Sequence, residues 1–228
     1  MKDSKYIVMS LGGSLIVPNE IDVDFVENFV FLIKEYVEKG FKFILITGGG
    51  KIARKYNEAL ERIVNPSKDN LDWMGIASTR LNSEFVRIAL GDLAYEKVVF
   101  DPGMIPETDK PVIMSAGWKP GNSSDLAAIY SAESVGAGVV INLSNTDYIY
   151  DKDPLTNSDA KKFETISWDE FLKLVPKEWN PGLSSPFDPI ASREAKEKNL
   201  KVVFINGHNL NSLKKYLDGE KFIGTIIN

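Results

Sequence analysis

The stretch "LITGGGKIARKY", residues 45–56, decides how this chain folds. An apolar run at residues 43–46 predicts a buried strand, and three glycines follow it after a single threonine. Residues 51–63 carry apolar side chains at helical spacing, so we expect a helix to begin just beyond the glycines. The first turns of this helix contain three cations, Lys51, Arg54 and Lys55. Because a helix N-terminus disfavours cations, an anionic ligand nearby would account for them.

Strand-like and helix-like segments alternate along the rest of the chain. Strand patterns lie at residues 6–11, 41–47, 97–100, 112–115, 138–144, 201–205 and 221–227. Helical patterns lie at residues 22–39, 51–63, 72–90, 126–135, 189–198 and 209–217, with loops expected at 65–70 and 180–189. A capping-box pattern at residues 167–170 opens a further, short helix. This alternation predicts an α/β fold, a three-layer α/β/α sandwich around a mainly parallel sheet, over a single domain of residues 1–228.

The composition excludes several classes of function. The chain has 228 residues, a net charge of −5, no cysteine and one histidine, His208, which we expect in a surface loop. Thiolate chemistry and a histidine-based triad or metal site therefore have no support, and a nucleic-acid polymer is not an expected partner. The sequence contains no apolar run long enough for a membrane span and no signal-peptide pattern at its beginning, so we expect a cytoplasmic protein without membrane partners.

Four of the predicted strands end in loops rich in glycine and serine. These loops are "LGGS" (11–14), "TGGGK" (47–51), "SAGWKPGNSSD" (115–125) and "NLSNTD" (142–147). Ligands of open α/β sheets bind beyond the carboxyl ends of the strands, where glycine exposes backbone amides to oxyanions. Four such loops at one edge predict a ligand that carries several phosphates.

Two common nucleotide motifs fit the glycine run poorly. Residues 48–53, "GGGKIA", satisfy the dinucleotide fingerprint, but a loop and a long helix follow where that fold needs a strand. The P-loop pattern is absent because Ile52, and not serine or threonine, follows Lys51.

Taken in order, the loops resemble the amino acid kinase superfamily, and specifically the uridylate kinases of the archaeal type. The resemblance extends from "LGGSLIVP" (11–18) and "TGGGKIARKY" (47–56) through "DWMGIASTRLNSE" (72–84). It continues in "GWKPGNSSDLAAIYSAE" (117–133), "NLSNTDYIYDKDP" (142–154), "FDPIASREAKEKNLKVVFING" (187–207) and "GEKFIGTII" (219–227). It therefore covers nearly the whole chain.

The resemblance implies an ATP-dependent kinase that transfers the γ-phosphoryl of ATP to UMP and forms UDP and ADP. Its partners would be ATP and UMP, with Mg²⁺ carried by ATP and no metal site built by the protein. It also implies a homo-oligomer, hexameric as in the family. Within the domain, an acceptor-binding lobe would span about residues 1–115 and an ATP-binding lobe about residues 116–228.

The resemblance also implies roles for individual residues. The ATP-binding set is Gly12, Gly13, Ser14, Gly50, Arg54, Ser144, Asn145, Tyr150 and Asp153. The UMP-binding set is Gly49, Asp72, Trp118, Lys119, Pro120, Gly121, Asn122, Ser123 and Ser124, with Asp72 accepting from the ribose hydroxyls. The catalytic set is Lys51, Arg54 and Asp125, with Asp125 organising the donors between the two nucleotides.

Structural roles remain open for four of the polar residues in these motifs. Asp72 and Asp125 each stand where a residue could cap a predicted helix, with no part in ligand binding. Arg80 and Asn82 are expected as surface groups of the helix that contains them.

The chain departs from the family pattern at three places. Ser10 stands where many members have a lysine, and Tyr148 stands where they have a glycine. Trp118, Lys119 and Asn122 replace the usual histidine or threonine of the UMP phosphate loop. Two alternatives stay open: a kinase of this superfamily with another phosphate, carboxylate or carbamate acceptor, and a non-catalytic ATP-binding relative such as a molybdate-storage protein. An isopentenyl phosphate kinase is disfavoured because the histidine expected in its second glycine loop is absent.

Overall fold

The computed structural model describes residues 6–176 and 185–228. Its strands are β1 (Tyr6–Leu11), β2 (Lys42–Thr47), β3 (Val112–Ser115), β4 (Val139–Ser144), β5 (Ile149–Tyr150), β6 (Lys162–Phe163), β7 (Thr165–Ile166), β8 (Lys201–Asn206) and β9 (Thr225–Ile227). Its helices are α1 (Gly13–Ile16), α2 (Val23–Glu38), α3 (Gly50–Ile63), α4 (Lys68–Leu90), α5 (Ser124–Val135), α6 (Trp168–Leu174), α7 (Pro189–Glu197) and α8 (Leu210–Leu217), with a 3₁₀ turn at Gly91–Leu93.

Seven strands form one sheet in the order β3-β2-β1-β4-β8-β9-β7, and β5 and β6 form a separate two-stranded ribbon. Five of the six strand pairs in the large sheet are parallel, and only β8 and β9 run antiparallel. Helices cover both faces of this sheet. The predicted three-layer sandwich around a mainly parallel sheet is therefore confirmed.

The strands are apolar throughout because both faces of the sheet are buried. Along β2, Phe43 and Leu45 pack into one core cluster, while Ile44 and Ile46 pack into the other. Helix α2 belongs to the first cluster, and α5 and α7 belong to the second. Adjacent side chains of a strand point to opposite faces, so a continuous apolar run is the expected pattern for a doubly covered strand.

The strand order reverses at the boundary between β1 and β4. Successive strands from β1 to β3 add on one side, and β4 and β8 add on the other. Crossovers on the two sides diverge at such a boundary and leave a crevice beyond the strand ends. Here Gly12 N donates to Leu143 O at 2.9 Å and Gly48 N donates to Leu11 O at 2.8 Å. These bonds tie the ends of β4, β1 and β2 together at the crevice.

Two sequence expectations about the backbone were wrong. Residues 68–70 are not loop, because α4 begins at Lys68 with Ser67 as its cap. Residues 97–100 form no strand, and this part of the chain contributes only isolated bridges at Ala94 and Val99. The β5–β6 ribbon after β4 had no sequence signal, because its strands are too short for a period-two pattern to show.

Other expectations have mixed outcomes. His208 is exposed in a loop, as expected. In the loop expected at 180–189, residues 180–184 lie outside the described residues, and helix α7 already begins at Pro189. None of the helices in the described ranges is long and apolar enough to cross a bilayer.

A pair of glycine substitutions tests how tightly the crevice is built. A Cβ on Gly13 would lie 2.0 Å from Gly50 N, whereas a Cβ on Gly75, inside α4, would meet no atom of the described residues within 4 Å. We expect Gly13→Ala to lower the free energy of unfolding by more than about 3 kcal/mol, because backbone atoms must move apart. Gly75→Ala should leave it unchanged or raise it by up to about 1 kcal/mol, because alanine favours a helix interior. Urea unfolding of both variants measures the difference, and equal stabilities would contradict the close packing.

Candidate active site

A cleft of about 310 Å³ lies at the crevice, beyond the carboxyl ends of the sheet. It brings together predicted site residues from four separate segments: Gly13, Ser14, Gly49, Gly50, Arg54, Asp72, Asn122, Ser123, Ser124 and Asp125. Residues that the sequence did not single out also line it, among them Asn57, Thr79, Gly117 and Asp188. Most of both glycine loops, the start of α4 and the start of α5 thus share one cavity.

The two glycine loops touch through bare backbone. A Cβ on Gly48 would lie 2.6 Å from Gly13 N, and a Cβ on Gly50 would lie 2.5 Å from Gly13 O. Gly50 also has a φ of +67°, which strains any other residue. No side chain fits between the loops, so the glycines are needed for the two loops to meet. Gly12, predicted with this group, lies behind it and bonds to Leu143.

The cations of α3 separate into two groups. Lys51 Nζ donates to Asn19 Oδ1 at 2.8 Å, and Lys55 Nζ donates to Asn19 O at 3.0 Å. These lysines are four residues apart and share a helix face, which is directed to the loop that contains Asn19. Arg54 lines the cleft instead and is exposed, and no hydrogen bond or ion pair to another described residue engages it. The structure therefore does not bring Lys51 into the cleft, whereas Arg54 is free to bind a ligand.

Asp72 is not the cap of α4, since Ser67 takes that position. Asp72 Oδ2 accepts a hydrogen bond of 2.7 Å from Gly121 N, at a point where Gly121 has a φ of +79°. Burial raises the pKa of the Asp72 carboxyl, although the bond from Gly121 opposes this shift. Within the described ranges its Oδ1 atom accepts no hydrogen bond, so it remains able to accept from a ligand hydroxyl.

The loop between β3 and α5 is divided between the cleft and its outside. Asn122 and the two serines after it line the cleft, whereas residues 118–121 do not. Trp118 lies edge-on to Tyr130 with ring centroids 6.4 Å apart, and Lys119 Nζ lies 3.8 Å from the centre of the Trp118 ring. Trp118 and Lys119 therefore support the loop from its outer side in this structure.

Asp125 is the most strongly perturbed acid of the cleft. Its Oδ1 atom accepts from Ser10 Oγ at 2.8 Å and from Asn142 Nδ2 at 3.1 Å, while its Oδ2 atom accepts from Asp188 N at 3.1 Å. Burial, and next the nearby Asp188 charge, raise the pKa of Asp125 to about 6. It is not the cap of α5, because the Ser123 side chain accepts from Leu126 N in that role.

Asp188 caps α7, with its Oδ1 atom accepting from Ala191 N at 2.7 Å. It also lines the cleft, and its side chain is 6% exposed. Its Oδ2 atom is buried without a hydrogen-bond partner in the described ranges, and burial raises the pKa of this carboxyl. The "FDP" of the family-like segment was the available signal, but an Asp-Pro pair is also an ordinary helix start.

Asn82 and Arg80 were both expected on the surface of α4. This expectation was wrong for Asn82, which is buried, and only partly right for Arg80, which is half-buried. Asn82 is 3% exposed, and its Nδ2 atom donates to Gly48 O at 2.8 Å. Arg80 is half-buried, with its guanidinium carbon 4.0 Å from the centre of the Phe100 ring. Apolar periodicity could not find these side chains, because a buried polar residue breaks the pattern that periodicity detects.

Four residues of the predicted ATP-binding set, one at the end of β4 and three beyond it, lie outside the cleft lining: Ser144, Asn145, Tyr150 and Asp153. Ser144 O accepts from Gly207 N at 2.7 Å, and the Tyr150 ring lies edge-on to Tyr148 at 6.4 Å. Tyr148 does not have a positive φ. The tyrosine that replaces the family's glycine is therefore accommodated without backbone strain.

The comparison with family models identifies the fold family. Residues 5–206 match the model of the amino acid kinase family. The chain belongs to the amino acid kinase family.

Named relatives of this family member are archaeal uridylate kinases. The uridylate kinase of Thermococcus onnurineus is 30% identical over 97% of this chain and 98% of its own length. That of Sulfurisphaera tokodaii is 32% identical, again over 97% of this chain and 98% of the relative.

Solved structures agree with these relatives. The uridylate kinase of Archaeoglobus fulgidus superposes with a TM-score of 0.80 at 29% identity and covers 97% of this chain and 99% of its own. The UMP kinase of Ureaplasma parvum, at 20% identity and a TM-score of 0.79, covers both chains completely and supports the fold.

The raised pKa of Asp125 has a measurable effect on stability. An unfolded aspartate loses its proton near pH 3.9, whereas Asp125 in the fold keeps it to about pH 6. Between these values the folded state binds more protons than the unfolded state, so stability falls as the pH rises. We expect Asp125→Asn to remove this loss of stability. Between pH 4 and pH 7, the free energy of unfolding of the variant should therefore rise by on the order of 2 kcal/mol relative to that of the native chain.

Thermal unfolding of both proteins across this pH range measures the difference. Because the charges of Asp125 and Asp188 interact, the difference between the two curves reports the titration of this pair of acids. Stability curves that stay parallel from pH 4 to pH 7 would show that Asp125 titrates normally.

Proposed function

We propose that this protein is a UMP kinase, which transfers the γ-phosphoryl of ATP to UMP and forms UDP and ADP. The observation that carries the proposal is the contact of the two glycine loops at the β1/β4 boundary, opposite Asp72 and the loop before α5. The names of the relatives support UMP as the acceptor, since they match this chain over nearly its full length.

The two nucleotides would meet at the second glycine loop. The ATP phosphates would extend along Gly13, Ser14 and Gly50, with the base and ribose toward the segment after β4. The UMP phosphate would lie at Gly49 and residues 122–124, and Asp72 would accept from a ribose hydroxyl through its free Oδ1 atom. The proposal includes two lobes, one for the acceptor over about residues 1–115 and one for ATP over about residues 116–228. It also includes a hexameric assembly and a cytoplasmic location.

The residues of the cleft suit phosphoryl transfer. A phosphate oxygen of UMP would form a bond to the γ-phosphorus as the bond from that phosphorus to the β–γ bridging oxygen breaks, and ADP would leave with the electron pair. The attacking oxygen is already an anion, so the step needs positioning and charge neutralisation more than a general base. Backbone amides of the glycine loops and the α5 terminus, together with Arg54, would supply positive potential.

The described lining of the cleft contains one cation, Arg54, and three acids, Asp72, Asp125 and Asp188. No cluster of three or more acidic or histidine side chains in the described ranges forms a metal site. This arrangement suits Mg²⁺ that enters with ATP and keeps most of its ligands as phosphate oxygens and water. Asp125 and Asp188 would accept from its water shell, and the ion would neutralise charge on the transferring phosphoryl.

An acceptor panel tests the proposal. ADP release would be measured with ATP, Mg²⁺ and, in turn, UMP, CMP, dUMP and isopentenyl phosphate. We expect UMP to give the highest kcat/KM, by about tenfold or more over dUMP, because dUMP lacks a hydroxyl for Asp72. Faster turnover of another acceptor would replace UMP in the proposal. ATP binding without release for any acceptor would indicate a non-catalytic relative.

A second experiment tests Arg54. Arg54→Ala should lower kcat by at least about tenfold, because one directed positive group at the transferring phosphoryl is lost. Its melting temperature should hardly change, since no described residue is bonded to Arg54. Lys55→Ala is the matched control, a neighbouring cation of α3 that bonds to Asn19 and should keep near-native turnover. Equal losses of kcat in the two variants would show that Arg54 contributes only to the overall positive charge of the region.

A further inference from the structure

Helix α4 contacts both loops of the cleft through buried polar side chains. Asn82 Nδ2 donates to Gly48 O at 2.8 Å, and Thr79 Oγ1 accepts from Gly117 N at 2.8 Å. Thr79 Oγ1 also donates to Ile76 O at 2.7 Å, so this hydroxyl uses its proton within the helix and accepts from the loop. The two residues are three apart and share one face of the helix. One rigid element therefore holds the second glycine loop and the loop before α5.

The bond from Asn82 fixes a peptide plane and not merely an atom. Gly48 N donates to Leu11 O at 2.8 Å, so the residue is held by β1 on one side and by α4 on the other. The carbonyl of Gly48 and the N–H of Gly49 belong to one planar trans peptide and point in opposite directions. Directing that carbonyl at Asn82 therefore sets the direction of the Gly49 N–H, and Gly49 lines the cleft.

Glycine offers no side chain to hold this peptide in place. Glycine visits more backbone conformations than any other residue, so three in succession have little local preference for one orientation. Burying the Asn82 amide is favourable only because it is hydrogen-bonded, and an apolar residue of similar size would leave the Gly48 carbonyl without a donor. The polar group at this position thus selects a loop geometry.

We propose that Asn82 is a positioning residue for phosphoryl transfer, which acts by orienting the Gly48–Gly49 peptide at the junction of donor and acceptor. The inference rests on the proposed function. Thr79 performs the matching task at Gly117, so α4 sets the distance between the two loops as well as the orientation of each.

Asn82→Asp turns the inference into a pH experiment. A protonated aspartic acid can still donate to Gly48 O, whereas the carboxylate presents only acceptors and repels the carbonyl. Burial raises the pKa of such a carboxyl, so the donor is present at low pH and lost as the pH rises. We expect the ratio of variant to native kcat/KM to fall by about tenfold between pH 6 and pH 8. Asn82→Leu should be at least about tenfold less active at every pH.

Ser83→Ala is the matched control for stability. Ser83 is fully buried next to Asn82 and bonds to Ser115 O and Thr47 Oγ1, which belong to the sheet. It should lower the melting temperature as much as the Asn82 variants do while keeping near-native kcat/KM. The positioning role is overturned if the kcat/KM of all three variants falls only in proportion to their melting temperatures and Asn82→Asp shows no pH effect of its own.

Native activity on UMP is measured first, so that failure of the proposed function is seen separately. If the native protein transfers nothing, calorimetric binding of UMP and of ATP at pH 6 and pH 8 decides the inference instead. The inference is supported if affinity falls with rising pH in Asn82→Asp but not in the native chain. Equal affinities for native and variant chains at both pH values overturn it.

Discussion

The contact between two glycine loops is the constraint on which the rest of the site depends. Gly13 and Gly50 meet with no room for a Cβ at either position, and the loops belong to neighbouring parallel strands that end at the same edge. Because the strand order reverses beside β1, the crevice beyond these loops lies open to a ligand. The sheet supplies the location, and the absence of side chains allows ligand phosphates to approach the backbone closely.

Loops without side chains need support from elsewhere, and helix α4 provides it. Its inner face contains several buried polar groups, and two of them, Thr79 and Asn82, bond directly to the loops. Each is hydrogen-bonded to backbone or to another hydroxyl, so none carries the cost of an unpaired buried group. Apolar side chains would pack as well in this position but could not hold carbonyls and amides in fixed directions.

The sequence predicted the sheet and most of the helices because buried parallel strands and amphipathic helices have clear periodic patterns. It failed where local patterns carry no information about direction. Lys51 and Arg54 looked equivalent as cations near a helix start, but helix geometry directs one to Asn19 and the other to the cleft. Asn82 looked like a surface residue because its burial depends on a carbonyl 34 residues away. Asp188 looked like a cap, and its second role appears only when α7 packs beside α5.

Ser10, which stands where the family pattern often has a lysine, contacts the most deeply buried charge of the cleft, that of Asp125. Its hydroxyl donates to Asp125, so it satisfies one oxygen of that acid without neutralising the charge. A lysine would favour the carboxylate, whereas serine leaves burial and Asp188 to raise the pKa of Asp125 to about 6. Under the proposed function, a nucleotide-bound cation would therefore add to the positive charge of Arg54. It would offset the three acids of the cleft, so the site would favour a metal–nucleotide complex over the free nucleotide.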